Sequence, residues 1–135
     1  MPRRTDASKP ADWIEIAEAD LAMVRLTAER EISFAPCRSK LAEALEKVLK
    51  AELIHLGWPL EKTHDLQRLA KLLRGRGSDL ADPAHPLVNA LTEAYFTDRY
   101  PGFDLDDPDW PALRQEIEGV GRLLETVKAR VAQGR

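Results

Sequence analysis

Residues 36 to 56 read PCRSKLAEALEKVLKAELIHL, and this stretch decides the fold. Its apolar residues recur every three or four positions, which is the spacing of an α-helix. Pro36 suits a first turn and Gly57 a C-terminal stop, so we predict a helix from about Pro36 to Leu56. The apolar side chains cover too much of the circumference for a single contact: Leu41, Ala44, Leu45, Val48, Leu49, Ala51, Leu53 and Leu56. We therefore expect this helix to lie centrally and to pack on several others.

Four further intervals carry the same periodicity, and none shows the alternation of a strand. They are about 12–30, 64–74, a segment from Asp82 or Pro86 to Tyr95, and a segment opened by Asp107 or Asp109 that ends near Val131. Because the connections are short, consecutive helices are expected to pack antiparallel. The prediction is an all-α fold, an up-and-down helical bundle of four to five helices. We expect the bundle domain over 12–133, after a flexible N-terminal segment at 1–11.

An apolar stripe on each of these helices defines the rest of the candidate core. In chain order the stripe residues are Trp13, Ile16, Ala17, Leu21, Val24 and Ala28; Leu66, Leu69, Ala70 and Leu73; Leu87, Leu91, Ala94 and Tyr95; and Leu113, Ile117, Val120, Leu124, Val127 and Val131. Thr63 is a good N-cap for the third helix, which we expect to begin at His64. Gly75 and Gly77 are expected to end it.

Composition restricts the class of protein. A chain of 135 residues with 44% hydrophobic and 32% charged residues is typical of one soluble globular domain. No run approaches the roughly 18 to 20 apolar residues that cross a bilayer, and the N-terminus MPRRTDASKPADW lacks the apolar stretch of a signal peptide. We therefore predict a cytoplasmic protein without membrane association. The single cysteine, Cys37, is expected to be a small buried residue.

Charge is polarised along the chain. The formal net charge of −3 and the pI of about 5.6 argue against a surface that binds nucleic acid everywhere. A local basic patch remains compatible with these values, because the segment 62–76 is rich in cations and 98–109 is rich in acids. The basic segment carries Lys62, Arg68, Lys71, Arg74 and Arg76 against Asp65.

Several familiar site types are not supported by the motifs. Glycines are scattered, so neither kind of phosphate loop is present. The three histidines, His55, His64 and His85, are not at metal-binding spacing with each other or with Cys37. No serine or cysteine lies in the sequence context of a catalytic triad. We therefore predict no cofactor and no metal.

The lysines of the second helix allow two interpretations. Glu43 precedes Lys47 by four residues and Glu46 precedes Lys50 by four, which favours surface ion pairs worth about 0.3 to 0.5 kcal/mol each. The alternative is that Lys47 and Lys50 present positive charge to phosphate at a groove. His55 leans towards the packed side of the helix, as a histidine at the edge of the core would.

The stretch AYFTDRYPGFDLDDPDW, residues 94 to 110, ends one helix and begins another. Pro101 prevents continuation of the first helix, Gly102 permits the turn, and Asp107 or Asp109 caps the next helix. Termination does not require an arginine between two tyrosines, so Arg99, with Tyr95 and Tyr100, is a candidate recognition site.

The stretch AEALEKVLKAELIHLGWPLEKTHDLQRLAKLL, residues 42 to 73, resembles the signature of HEPN domains, in which a helix carrying Glu-Lys-x-Leu-Lys-Ala leads to Thr-His-Asp-Leu. The matching residues are Glu46, Lys47, Leu49, Lys50, Ala51, Thr63, His64, Asp65 and Leu66. The opening DWIEIAEADLAMVRL resembles the first helix of the family through Trp13, Ala17, Asp20 and Leu21. Tyr95 with Asp98-Arg99-Tyr100-Pro101 is similar to the Tyr and Ala-Arg-Tyr-Pro of one large branch. Together these blocks cover most of the chain.

The resemblance implies a homodimer of helical bundles, frequently paired with a minimal nucleotidyltransferase as toxin and antitoxin. Many HEPN proteins are metal-independent ribonucleases that use an arginine and a histidine separated by four to six residues. No arginine here is followed by a histidine at that separation, and the nearest imitation is Lys50 with His55. Many relatives also carry a His-Ala-Gln-Gln run where this chain has Lys40-Leu41-Ala42-Glu43.

We therefore interpret the chain as a HEPN protein that acts by association, with itself and with a nucleotidyltransferase, and that binds nucleotide or RNA in a groove. An exposed tyrosine would then be the acceptor of the partner's nucleotidyl group. The candidate binding residues are Lys47, Lys50, His64, Asp65, Tyr95, Arg99 and Tyr100. The alternative is a metal-independent toxin ribonuclease that uses Arg99 with His64, or Lys50 with His55. A third interpretation is a structural bundle without a ligand.

Overall fold

The computed structural model describes residues 4–94, 100–102 and 107–134, and these residues form five α-helices. In chain order the helices are α1 (Pro10–Arg30), α2 (Phe34–His55), α3 (Leu66–Gly75), α4 (Ala81–Leu91) and α5 (Trp110–Gln133). No strand occurs in these ranges. The all-α prediction is therefore confirmed.

The starts of the helices differ from the predictions by one to two turns at most. Helix α1 begins at Pro10, so the domain boundary predicted at residue 12 falls inside it. Helix α2 begins two residues before Pro36. The predicted cap at Thr63 is wrong: Asp65 is the N-cap of α3, and its carboxylate accepts a hydrogen bond from the Arg68 amide at 3.2 Å. The aspartate competes successfully because its oxygen reaches the free amides of the first turn.

The sequence offered two possible starts for each of the last two helices, and each observed start lies within one residue of one of them. Helix α4 begins at Ala81, before Asp82, and contains Pro86 in its interior. Helix α5 is capped by Asp109, whose carboxylate accepts a hydrogen bond from the Ala112 amide at 3.1 Å. The Asp107 alternative is therefore not used as the cap.

Helix α2 is the centre of the bundle, as predicted, and contacts each of the other four helices. Its neighbour α1 runs antiparallel to it, because Val24 lies beside Cys37 while Trp13 lies beside Lys50. Helices α3 and α4 are also antiparallel, since Gln67 contacts Thr92 and Arg74 contacts Asp82. These two pairs are antiparallel, as predicted. Helix α3 instead runs in the same direction as α2, because His64 before α3 contacts Glu46 and Arg76 after it contacts Leu56.

Helix α5 closes the bundle and runs parallel to α2. At one end of this pair the rings of Phe34 and Trp110 meet edge to face, with centroids 5.1 Å apart. At the other end Arg130 reaches Glu52. Two long helices and α1 therefore form the main body, and the α3–α4 hairpin packs against its side through α2 and α5.

The predicted core is largely correct. The row Leu41, Leu45, Leu49 and Leu53 on α2 is fully buried, as are the central stripe residues of α5. One correction concerns α1, where Ile16 is 40% exposed and Ile14 is buried instead. Ile14 precedes Ala17 by three residues and Leu21 by seven, whereas Ile16 is three residues from Trp13 but five from Leu21, so the spacing to the buried residues favours Ile14. Leu56 is also exposed, because it follows the last turn of α2.

The sequence also predicted where two residues of α2, Cys37 and His55, lie relative to the core. Cys37 is buried, as predicted, and its thiol donates to the Val24 carbonyl over 3.6 Å. Burial raises the pKa of this thiol. His55 is half-buried at the end of the helix, which confirms its place at the edge of the core. Among the described helices, none is long and apolar enough to cross a membrane.

Candidate functional site

The ammonium group of Lys47 is held between α1 and α2. It contacts the carboxylate of Asp20, a residue of α1 that is itself buried. Lys40 approaches the other oxygen of the same carboxylate at 3.4 Å. The predicted partner of Lys47, Glu43, instead lies 3.7 Å from Lys40. Lys47 therefore joins two helices, and its charge is balanced within the chain.

A second cluster, which we call the Glu46 cluster, consists of Trp13, Glu46, Lys50 and His64. The Lys50 ammonium lies 2.9 Å from Glu46 and 5.2 Å from the centre of the Trp13 ring. Nδ1 of His64 lies 3.1 Å from the same carboxylate. Glu46 and Lys50 are both buried, so this pair is not the surface pair that the spacing suggested. Its energetic importance is correspondingly greater, because a charge that loses its partner here has no water to replace it.

Asp65 and Thr63 shape the turn that presents His64. Asp65 caps α3, and the hydroxyl of Thr63 accepts a hydrogen bond from the Asp65 amide at 3.2 Å. These short-range bonds fix the backbone on both sides of the histidine. The imidazole is thereby placed against α2 while its side chain stays 66% exposed.

The remaining candidates lie in the C-terminal half. Tyr100 lies in the connection from α4 to α5, and its side chain is 56% exposed. Tyr95 and Arg99 lie outside the described residues. The described candidates thus form four groups: Lys50 with His64 on one carboxylate, Lys47 on another, Asp65 at the adjacent helix cap, and Tyr100 in the connection before α5.

The alternative pairing of Lys50 with His55 is not favoured by the helix geometry. Five residues of an α-helix separate two side chains by about 140° around the axis. Lys50 faces Trp13 on α1, and His55 stands at the far end of α2. The lysine is also buried and paired with Glu46, which leaves its ammonium without access to a phosphate group.

Sequence reasoning missed three features of these clusters: the contact of Asp20 with Lys47, the contact of the Trp13 ring with Lys50, and the burial of Glu46. A signal existed for Asp20, because it lies three residues after Ala17 and four before Val24 in the buried stripe of α1. A charged residue on such a stripe is nearly always paired. The identity of its partner, 27 residues away, had no signal in the sequence.

A further charged cluster ties the other end of the bundle. Glu52 of α2 is fully buried, and one of its oxygens accepts from Arg130 at 2.7 Å and from the Ser78 hydroxyl at 2.7 Å. Arg130 also grips Asp79. The hydrogen bond to Asp79, together with the negative charges of Glu52 and Asp79, raises the pKa of the Arg130 guanidinium against the opposing effect of burial. This cluster joins α2, α5 and the connection before α4, and we call it the lock around Glu52.

Chemically, the Glu46 cluster combines a buried carboxylate with an exposed imidazole. A carboxylate that accepts from Nδ1–H leaves the proton-accepting lone pair on Nε2, which is the arrangement of an oriented acid or base. Among residues 4–94, 100–102 and 107–134, no three histidine, cysteine or acidic side chains are arranged to hold a metal ion.

Comparison with known proteins places this architecture in a family. The family model described as HEPN domain matches residues 10–130, which is nearly the whole bundle. Neither the curated proteins nor the solved structures contain a match to the chain. The matched region spans all five helices and includes the Glu46 cluster. The chain therefore belongs to the HEPN domain family.

Proposed function

We propose that this HEPN protein is one half of a toxin and antitoxin type pair with a minimal nucleotidyltransferase, and that it acts by association. It binds a second copy of itself, its nucleotidyltransferase partner, and nucleotide or RNA. In this proposal it does not cleave RNA.

The observation that carries this proposal is the internal neutralisation of the described candidate cations. The Lys47 ammonium contacts the Asp20 carboxylate, and Lys50 and His64 both contact the Glu46 carboxylate. Phosphate binding and RNA cleavage both need cations that face the ligand, so in this proposal Lys47 and Lys50 serve neither, and nucleotide or RNA binds elsewhere on the chain. The sequence also lacks an arginine followed by a histidine at a separation of four to six residues. Both features argue against a ribonuclease centre.

An exposed apolar face on α1 supports association. Ile16, Met23 and Leu26 are spaced by seven and three residues, so they lie on one side of the helix, and they are 40%, 60% and 56% exposed. Ile32, just beyond the helix, is 56% exposed as well. Contiguous exposed apolar residues of this size mark interaction surfaces in soluble proteins. In this proposal α1 of one protomer packs on α1 of the second.

Sedimentation of the purified chain across a concentration series tests this association. The wild type is expected to be a dimer, and Met23→Glu, which places a charge at the centre of the α1 face, is expected to be a monomer. Leu60→Glu is the matched control, because Leu60 is 40% exposed but lies in the loop before α3. A monomeric wild type, or equal dissociation by both variants, would remove the α1 interface from the proposal.

The nucleotidyltransferase half of the proposal has its own test. A short nucleotidyltransferase reading frame beside the gene is the expected neighbour, and its product is expected to copurify with this chain. Tyr100 is exposed, as an acceptor hydroxyl would be. Incubation with that enzyme and ATP should then join AMP to a tyrosine oxygen of the wild type with release of pyrophosphate, which adds the mass of one adenylyl group. Tyr95→Phe and Tyr100→Phe, made separately, identify the acceptor, and no mass change in the wild type rejects the modification.

A second candidate function rests on the Glu46 and His64 pair. A buried carboxylate that orients an exposed imidazole can support general base catalysis, in which Nε2 takes the proton of a ribose hydroxyl. A cleavage assay on RNA in the presence of EDTA separates the two functions. Cleavage that His64→Ala abolishes and His55→Ala retains would establish the ribonuclease, whereas intact RNA with the wild type supports the binding module.

A further inference from the structure

The arginines and lysines of the basic segment 62–76 have no role in the Glu46 cluster described above. Two of its arginines are used within the chain: Arg68 makes a two-pronged contact with Glu61 at 2.7 to 3.0 Å, and Arg76 donates to the Leu56 carbonyl at 3.3 Å. Lys71 is exposed, and no carboxylate of the described ranges lies within ion-pair distance of it. Arg74 contacts Asp82 at 3.0 Å, but both side chains are well exposed. An exposed pair of this kind is weak and exchanges readily with another anion.

Lys71 and Arg74 lie on one wall of a concave groove between α3 and α4, with a volume of about 360 Å³. We call it the α3–α4 groove, and it is lined by Gln67, Ala70, Lys71, Arg74, Gly75 and His85. The two cations are three residues apart on α3, so they project side by side. His85 stands opposite them on α4.

A short chain of hydrogen bonds holds the polar edge of this groove. The Gln67 amide donates to the Asn89 side-chain oxygen at 3.1 Å, and the Asn89 amide nitrogen lies 3.1 Å from Nε2 of His85. The imidazole of His85 is thereby hydrogen-bonded at the groove that Lys71 and Arg74 also line. A groove with paired cations and a fixed aromatic ring is suited to a nucleotide chain, because the cations contact phosphates and the ring stacks on a base.

We infer that the α3–α4 groove binds single-stranded RNA, with Lys71 and Arg74 on the phosphates and His85 against a base. This inference deepens the RNA-binding part of the proposed function, and it needs neither the dimer nor the nucleotidyltransferase. It also moves the binding surface away from Lys47 and Lys50, whose charges are balanced internally. Acidic polypeptide is the competing class of ligand, and a free mononucleotide the competing source of phosphate.

The test is fluorescence anisotropy with a labelled single-stranded RNA of about 12 nucleotides at low salt. Lys71→Ala and Arg74→Ala are each expected to weaken binding about threefold to tenfold and to lower the salt slope by about 0.7. His85→Ala is expected to weaken binding with an unchanged salt slope. Lys62→Ala is the matched control, because it removes one exposed cation of the same segment outside the groove. Its affinity should stay within about twofold of the wild type.

A variant that is expected to bind RNA more tightly provides a control, because misfolding would weaken binding rather than strengthen it. Asp82→Asn removes the carboxylate that competes for Arg74, and it is expected to strengthen binding about twofold to fivefold. Absence of binding by the wild type overturns the inference, as does an equal loss from Lys62→Ala and Lys71→Ala. Displacement of the RNA by polyglutamate at equal charge, or by AMP at equal nucleotide concentration, also overturns it. Sedimentation of Lys71→Ala should still show the wild-type oligomer, which separates failure here from failure of the association model.

Discussion

Glu46 is a buried acid that joins a lysine and a histidine from two parts of the chain. Its carboxylate serves Lys50 from its own helix and His64 from the turn before α3. The motif that carries the family resemblance is thus also a structural joint between α2 and α3.

Glu46→Ala is expected to lower the free energy of unfolding by about 3 kcal/mol, because it leaves the buried Lys50 ammonium without a carboxylate and with only the Trp13 ring beside it. Glu18→Ala is the matched control, since Glu18 pairs with Lys128 at 2.8 Å on the exposed side of the bundle. Its loss is expected to cost less than about 1 kcal/mol. Urea denaturation of both variants measures the difference, and equal costs would show that burial does not strengthen the Glu46 pair.

Glu116 on α5 gives a pH-dependent prediction. Burial raises the pKa of its carboxyl, the positive charge of Arg38 opposes this shift, and Asp109 adds to it. The native state therefore holds this proton more tightly than the unfolded state, and stability falls as pH rises from the unfolded value of about 4.3 through the raised native value.

Glu116→Gln removes this penalty, so its urea midpoint relative to wild type should increase between pH 4 and pH 7. Glu125→Gln, at an exposed position of the same helix, controls for the loss of one negative charge. A constant difference between Glu116→Gln and wild type across this range would contradict the raised pKa.

At the scale of helices, the start of α3 shows how local chemistry selects among neighbouring polar residues. Asp65→Ala is expected to cost about 1 kcal/mol, because the first turn loses the acceptor for the Arg68 amide. Asp65→Asn should keep most of that stability, since asparagine caps equally well. Thr63→Ala is expected to cost less than Asp65→Ala, and the reverse order in thermal unfolding would restore Thr63 as the cap.

Helix α5 carries two interior glycines with opposite expected responses to alanine. A Cβ at Gly119 would lie 2.9 Å from Cδ2 of Leu87 in the core, so Gly119→Ala is expected to destabilise the fold by about 1 to 2 kcal/mol. A Cβ at Gly121 would meet only the mobile end of Arg25 at less than 3 Å.

Because that arginine can move, Gly121→Ala is expected to raise stability by about 0.5 to 1 kcal/mol through helix propensity. Chemical denaturation of the two variants compares them directly. Destabilisation by both would mean that α5 packs as closely on α1 as on α4.

At the scale of the whole molecule, the lock around Glu52 joins the end of α2, the connection before α4, and the end of α5. Arg130→Met is expected to cost about 3 kcal/mol, because it leaves the fully buried Glu52 without its cation. Arg122→Met is the control on the same helix, where the arginine is exposed.

Amide hydrogen exchange locates the effect as well as its size. In Arg130→Met, protection should fall at the C-terminal ends of α2 and α5 more than at Phe34 and Trp110, which meet at the opposite end. Uniform loss of protection would indicate that the lock stabilises the bundle as one cooperative unit.

The sequence by itself determined the helical class, the central place of α2, most of the core and the membership of the HEPN family. The first three follow from residues that are close in sequence, since the 3.6-residue period places apolar side chains on one face. The family membership rests instead on the motif resemblance and on the family model that matches residues 10–130. Ile16 marks a wrong assignment within this reasoning, because its spacing of three to Trp13 placed it on the stripe although Ile14 has the better spacing to the buried Ala17 and Leu21.

Only the tertiary structure decided which charges pair. Lys47 binds Asp20 across 27 residues and His64 meets Glu46 across 18, although the helical spacing offered Glu43 as a nearer partner for Lys47. Which acid a cation meets depends on how two helices are rotated against each other, and the burial of many apolar side chains sets that rotation. The groove between α3 and α4 has the same origin, since its cations lie in one sequence segment and its histidine in another.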